Sequence, residues 1–174
     1  MDACSRSDLL TTLENLSRGS RDGKKTLHKP LLLLMILARQ QQGGSRLATF
    51  EELREPFQAL LEEFGGPKQD SDAVRYPLWA LRNEGIWEVP GGAELPRRSG
   101  NKEPKVAAML TANTTCGFLF EVMAELKADR ELAARSASIL LDHHFPGSLR
   151  AAVSDRVGVK TDNASTPIVI LGAS

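Results

Sequence analysis

Arg75-Tyr76-Pro77-Leu78-Trp79-Ala80-Leu81-Arg82-Asn83-Glu84-Gly85, followed at once by Ile86-Trp87-Glu88-Val89, is the stretch that decides the fold. Proline at a first helical position and glycine just past the last mark a short helix. Proline's missing N–H is harmless in a first turn, and glycine accepts the left-handed conformation that ends a helix. The stretch therefore predicts a helix with Pro77 at its first position and Gly85 as its stop, then a strand over Ile86 to Val89. Pro90-Gly91-Gly92 turns the chain, Arg97 to Lys102 forms a basic loop, and Val106 to Leu110 offers a return strand.

Upstream, Leu31 to Ala38 is apolar all round, which marks a helix buried on every side, with Pro30 fitting its first position and Gln40-Gln-Gln-Gly-Gly44 as its end. Thr49 with Glu52 three residues later makes a capping box, and Leu53, Phe57, Leu60, Leu61 and Phe64 then recur on one helical face. Pro56 lies inside that pattern, so the helix either kinks there or begins later. A short amphipathic helix carrying Leu9, Leu10, Leu13 and Leu16 opens the chain, and Arg18 to Lys25 reads as a polar loop. From Thr114 onward the pattern is helical: Phe118, Leu119, Val122 and Leu126, then Leu132 to Leu140, then Leu149, Ala152, Val153 and Val157. Helix, helix, short helix and a two-stranded loop follow the winged-helix order. The expected class is mainly α, a winged-helix-like domain with a two-stranded β wing and C-terminal bracing helices.

The 174 residues, 41% hydrophobic and 25% charged, suit one soluble globular unit, expected over residues 1–160, with 161–174 as a tail. Cys4 and Cys116 stand far apart without a metal-ligand spacing, so no zinc module or disulfide framework is expected. The apolar run Leu31 to Ala38 is too short to span a bilayer and the first residues are polar, so the expected setting is the cytoplasm, with no membrane partner.

The net charge is zero, but its distribution is uneven. Arg18, Arg21, Lys24, Lys25 and Lys29 face only Asp22 in their window. Arg97, Arg98, Lys102 and Lys105 face only Glu103, while residues 51–63 are acidic. One basic and one acidic face are expected. Lys29-Pro30 and Arg75-Tyr76-Pro77 each place a cation where a helix begins, and helix N-termini attract anions. His143-His144 offers weak ground for catalysis: neighbours on a helix point about 100° apart, and no third ligand stands at a ligand spacing. No phosphate loop, nucleophile elbow or His-Asn-His pattern is present, so neither a cofactor, a metal, a small-molecule substrate nor catalysis by this chain is expected.

His28-Lys29-Pro30, Arg75-Tyr76-Pro77-Leu78-Trp79-Ala80-Leu81 and Arg98-Ser99-Gly100-Asn101-Lys102 together resemble the sulfur-binding domain of phosphorothioate-dependent, McrA-type restriction endonucleases. The likeness covers most of the chain, including the His144-Phe145-Pro146 turn. In that family a sulfur-binding domain reads double-stranded DNA whose backbone carries sulfur in place of a non-bridging phosphate oxygen, and a separate His-Asn-His domain cuts. The resemblance implies that Tyr76, Pro77 and Ala80 wall a sulfur pocket and that His28 and Lys29 hold the same backbone group. It further implies that Arg75 and Arg98 to Lys102 reach backbone or bases. The family commonly has arginine where Lys29 stands; lysine keeps the charge and aliphatic stem but loses the planar fork. The competing reading is a winged-helix regulator that inserts Leu78 to Asn83 into the major groove of unmodified DNA, with Arg82 and Asn83 as base readers. A nuclease using His143 and His144 and a protein-interaction domain are weaker alternatives. The flanking bases, the oligomeric state and membership of a longer nuclease stay open.

Overall fold

A computed structural model describes residues 6–17, 20–21, 24–64, 73–95 and 104–161. The chain folds around α2 (His28–Gln41), whose Leu31, Leu32, Leu33, Leu34 and Leu37 are wholly buried. An all-apolar helix must be covered on every side, and it is: α1 (Arg6–Glu14) and α7 (Arg130–His144) pack together, α7 also lies on α2, and α3 (Phe50–Phe64) and α4 (Arg75–Ala80) cover other sides. α6 (Phe120–Ala128) and α8 (Arg150–Val157) complete the brace. Fully burying one such leucine contributes on the order of 1.5–3 kcal/mol, so the α2 run alone commits several helices to one core.

The expected first-position prolines sit two residues further in. α2 begins at His28 and α4 at Arg75, so Pro30 and Pro77 each occupy the third position. The first four N–H groups of a helix have no intrahelical partner, so proline is harmless throughout that turn. The first bonds that close the helices are Leu31 N–H to the Leu27 carbonyl and Leu78 N–H to the Val74 carbonyl, both 3.0 Å.

The small sheet differs from the expected two-stranded wing. Its three antiparallel strands run β3 (Ala48–Thr49), β5 (Thr115–Phe118), β4 (Trp87–Glu88), with Ala48 opposite Cys116 and Trp87 opposite Phe118. Val106 to Leu110, expected as the return strand, is helix α5 (Val106–Thr111); an apolar run of this length fits either state, and Ala107, Ala108, Met109 and Leu110 are strong helix formers. The true return strand is β5, read from sequence as the start of a helix. Gly117 fits it there: a Cβ would lie 2.3 Å from the Arg46 carbonyl oxygen, so only glycine admits the passing backbone. Ala152, expected on a packed face, is exposed. Within the basic stretch after α1, β1 (Ser20–Arg21) pairs with β2 (Lys24–Lys25), two strands where a loop was expected.

Other expectations hold in detail. Every residue of the predicted α3 face is buried, and the helix runs through Pro56, which points to solvent. Gly85 adopts φ +86° and ends the 3-10 turn Leu81–Glu84 that extends α4. At the far end of α2, Gln41 forms a reciprocal pair with the Lys160 backbone: its Nε2 donates to the carbonyl at 2.9 Å and its Oε1 accepts from the N–H at 2.8 Å. Cys116 is buried in β5, and burial pushes its thiol pKa well up, leaving it protonated. Of the expected tail 161–174, all but Thr161 lies outside the described residues.

The capping box closes on both sides. Thr49 N–H donates to Glu52 Oε2 at 2.6 Å, and Glu52 N–H donates to Thr49 Oγ1 at 3.0 Å. That backbone bond is the main reason the Glu52 carboxyl is held below its ordinary range. Thr49→Ala should therefore cost about 1 kcal/mol in urea denaturation. Because the folded carboxyl has the lower pKa, its contribution is present above the unfolded value and fades as pH falls through the folded one. The stability gap between the unmutated chain and Glu52→Gln should accordingly shrink on acidification; a gap that widens would contradict this account.

Candidate nucleic-acid interface

α2 opens on Leu27, which offers no side-chain cap, and its first turn carries no acidic residue. The positive end of the helix dipole therefore coincides with His28 and Lys29, both half-buried. The His28 ring lies 6.3 Å from that of Phe57 at a 48° tilt, so α3 supports one side of it. Lys29 Nζ is 2.6 Å from Glu84 Oε2, and the two side chains are only 13% and 12% exposed. The same Glu84 oxygen accepts from the Ser17 N–H at 3.3 Å. One carboxylate thus joins the segment after α1, the first turn of α2 and the end of the α4 unit.

α4 presents two chemistries. Leu78 and Trp79, with Leu81 just beyond, face the core, whereas Tyr76 and Ala80, four residues apart and so on one face, stay half-buried beside buried Pro77. The Arg75 guanidinium lies 4.8 Å from the centre of the Tyr76 ring and donates to its hydroxyl at 3.1 Å, which holds the ring's orientation. Arg82 folds back in the same way: its guanidinium is 3.5 Å from the Trp79 ring centre and its Nε donates to the Trp79 carbonyl. The tilt of α4 is set from the sheet, because buried Trp87 donates through Nε1 to the Leu78 carbonyl at 3.0 Å and stacks edge-on against Phe118.

The structure brings α2 and α4 together, with Lys29 tied to the α4 unit through Glu84. Arg98, Ser99, Gly100, Asn101 and Lys102 lie outside the described residues. Sequence reasoning passed over Glu84. A signal was available: a carboxylate in the last turn of a helix opposes the dipole, so a cation elsewhere had to answer it. Of the histidine pair, His144 is buried with Nε2 2.7 Å from the Leu13 carbonyl, binding α7 to α1, and His143 lies 3.2 Å from Glu14. Among the described residues there is no group of three His, Cys, Asp or Glu side chains able to hold a metal, and no helix long and apolar enough to cross a membrane.

A family model for the ScoMcrA-like DNA sulfur-binding domain matches residues 6–162. The chain belongs to that family. The fold of this sulfur-binding domain is shared with solved structures. The sulfur-binding and SRA domains of ScoMcrA complexed with phosphorothioated DNA match with a TM-score of 0.77 and 25% identity over 86% of this chain and 46% of that one. The sulfur-binding domain of ScoMcrA complexed with phosphorothioated DNA matches at 0.76 and 24%, covering 86% of this chain and 94% of that one. The corresponding SprMcrA domain, also complexed with phosphorothioated DNA, gives 0.71 and 19%, covering 89% and 94%. The chain spans about half the length of the two-domain ScoMcrA structure. No curated protein matches the chain.

If Trp87 sets the position of α4, Trp87→Phe should leave the Leu78 carbonyl buried and unpaired, at a cost of about 1–3 kcal/mol. Amide exchange in α4 should speed up more than in α7; uniform acceleration across the domain would show that the indole bond does not specifically hold α4.

Proposed function

We propose that this chain recognises phosphorothioate-modified double-stranded DNA, with the backbone sulfur against the face of α4 that carries Tyr76, Pro77 and Ala80. His28 and Lys29 hold the same backbone group, and Arg75 with the segment Arg98 to Lys102 contacts backbone and bases. In this reading the chain binds without cutting, as the targeting module of a modification-dependent nuclease. The observation that carries it is the meeting of the α4 face that bears Tyr76, Pro77 and Ala80 with the first turn of α2, where Lys29 is held against Glu84, in a chain whose family is defined by sulfur binding.

The chemistry follows from the side chains. Sulfur is larger, softer and a poorer hydrogen-bond acceptor than oxygen, so burial against an apolar wall costs it less. Proline has no N–H to offer, alanine leaves space, and the tyrosine ring supplies a flat apolar surface. An oxygen forced into the same place without a donor loses roughly 1–3 kcal/mol, a preference of about 5-fold to 150-fold for sulfur. Cations nearby add affinity without discriminating sequence. A winged-helix docking geometry draws support from the element order, since α2, β3, α3, α4, β4 and β5 with strand order β3-β5-β4 follow the helix, strand, helix, helix, strand, strand succession, with α5 inserted between β4 and β5. The regulator reading loses ground because Arg82, one of its two base readers, lies on Trp79.

Matched duplexes carrying plain phosphate or sulfur in either stereochemical position test the proposal directly. One stereoisomer should bind more tightly than the other two duplexes, and magnesium should leave all three uncut. Equal affinity for all three removes the sulfur pocket. Ala80→Leu should fill the space for sulfur and abolish the preference while changing thermal stability little, since Ala80 is partly exposed. Arg98→Ala and Lys102→Ala should weaken binding to every duplex and flatten its salt dependence; unchanged affinity in both variants would place the 97–102 segment away from DNA.

A further inference from the structure

We infer that Glu84 is a specificity-determining residue, a built-in competitor that keeps the Lys29 ammonium from satisfying a plain phosphate oxygen. This inference rests on the sulfur-recognition reading. The ion pair is short, largely buried and shared with a backbone N–H, so Glu84 is a fixed part of the site rather than a surface charge passing by. Its position has two consequences for an approaching backbone.

The first concerns charge. Lys29 and Glu84 together are neutral, so from a distance this cation attracts no phosphate and releases no counterion when DNA arrives. The second concerns donors. An ammonium has three N–H groups, and Glu84 commits one of them and fixes the direction of the others. An oxygen facing Tyr76, Pro77 and Ala80 then stays without a donor, which is the condition on which discrimination depends. Sulfur in that place has little need of one. Releasing Lys29 should accordingly help plain DNA more than modified DNA.

Glu84→Gln keeps the shape and the acceptor for Ser17 N–H while removing the charge. Binding of plain duplex should strengthen, with the plot of log K against log salt steeper by about 0.9, which is roughly eightfold in affinity per tenfold dilution of salt. The modified duplex should gain less, so the preference narrows. Glu84→Asp, whose carboxylate is one methylene shorter, should loosen the hold on Lys29 and shift plain binding in the same direction by a smaller factor. It carries the test should Glu84→Gln melt early. In the double variant Lys29→Gln with Glu84→Gln, the gain in plain binding and the added salt dependence should both disappear. No gain in plain binding from either single variant, or a gain that persists in the double variant, overturns the role of Glu84. The unmutated chain separates this outcome from failure of the parent reading: equal affinity there for plain and modified duplexes refutes sulfur recognition itself, whereas a preference that the variants leave untouched refutes only Glu84.

Discussion

The structure depends on one requirement, that α2 be kept from water on every side. Five leucines and Ile36 in a single helix leave no polar face to expose, so α3, α4, α6, α7 and α8 are arranged by the need to cover it. The proposed binding end of the molecule is a by-product of that arrangement. α2 has its polar residues at its two ends, and its first turn, with Lys29 tied to Glu84, meets short α4. A core requirement thus fixes the position of a helix terminus, and the terminus supplies the electrostatics.

How much of this was legible in the sequence depended on the type of signal. The α3 face, the Thr49 and Glu52 box and the Gly85 stop were read correctly because each is a local rule that tertiary packing had no reason to override. Helix starts were misplaced by two residues at Pro30 and Pro77, since proline is equally acceptable anywhere in a first turn. The sheet was misread because strands of two to four residues carry too few positions for a period to emerge. β5 in particular is specified from outside itself, by the Arg46 backbone pressing on Gly117 and by Trp87 opposite Phe118. For the candidate site, the residue types of α4 and the start of α2 were visible, but Glu84 was not, because its partner lies 55 positions away and only the packing of α4 on α2 brings them together.

Three cations near the candidate interface, among the described residues, are held in place. Arg75 lies over Tyr76, Arg82 over Trp79, and Lys29 against Glu84. Holding a long side chain in one place before a ligand arrives reduces the rotamer entropy lost on binding. For the proposed anionic partner of a chain with no net charge, the relevant quantity is where positive groups such as Arg75 and Arg82 are held, not their sum.

The reciprocal amide pair between Gln41 and the Lys160 backbone has a mechanical meaning. It anchors the departing chain to the opposite end of α2 from His28, about 20 Å away at 1.5 Å per residue. Lys160 is therefore held one helix-length from the proposed DNA face. A central rod thus spaces the proposed reading head at one end from the clamped backbone at the other, so a load applied at Lys160 is carried along α2 rather than across the DNA face.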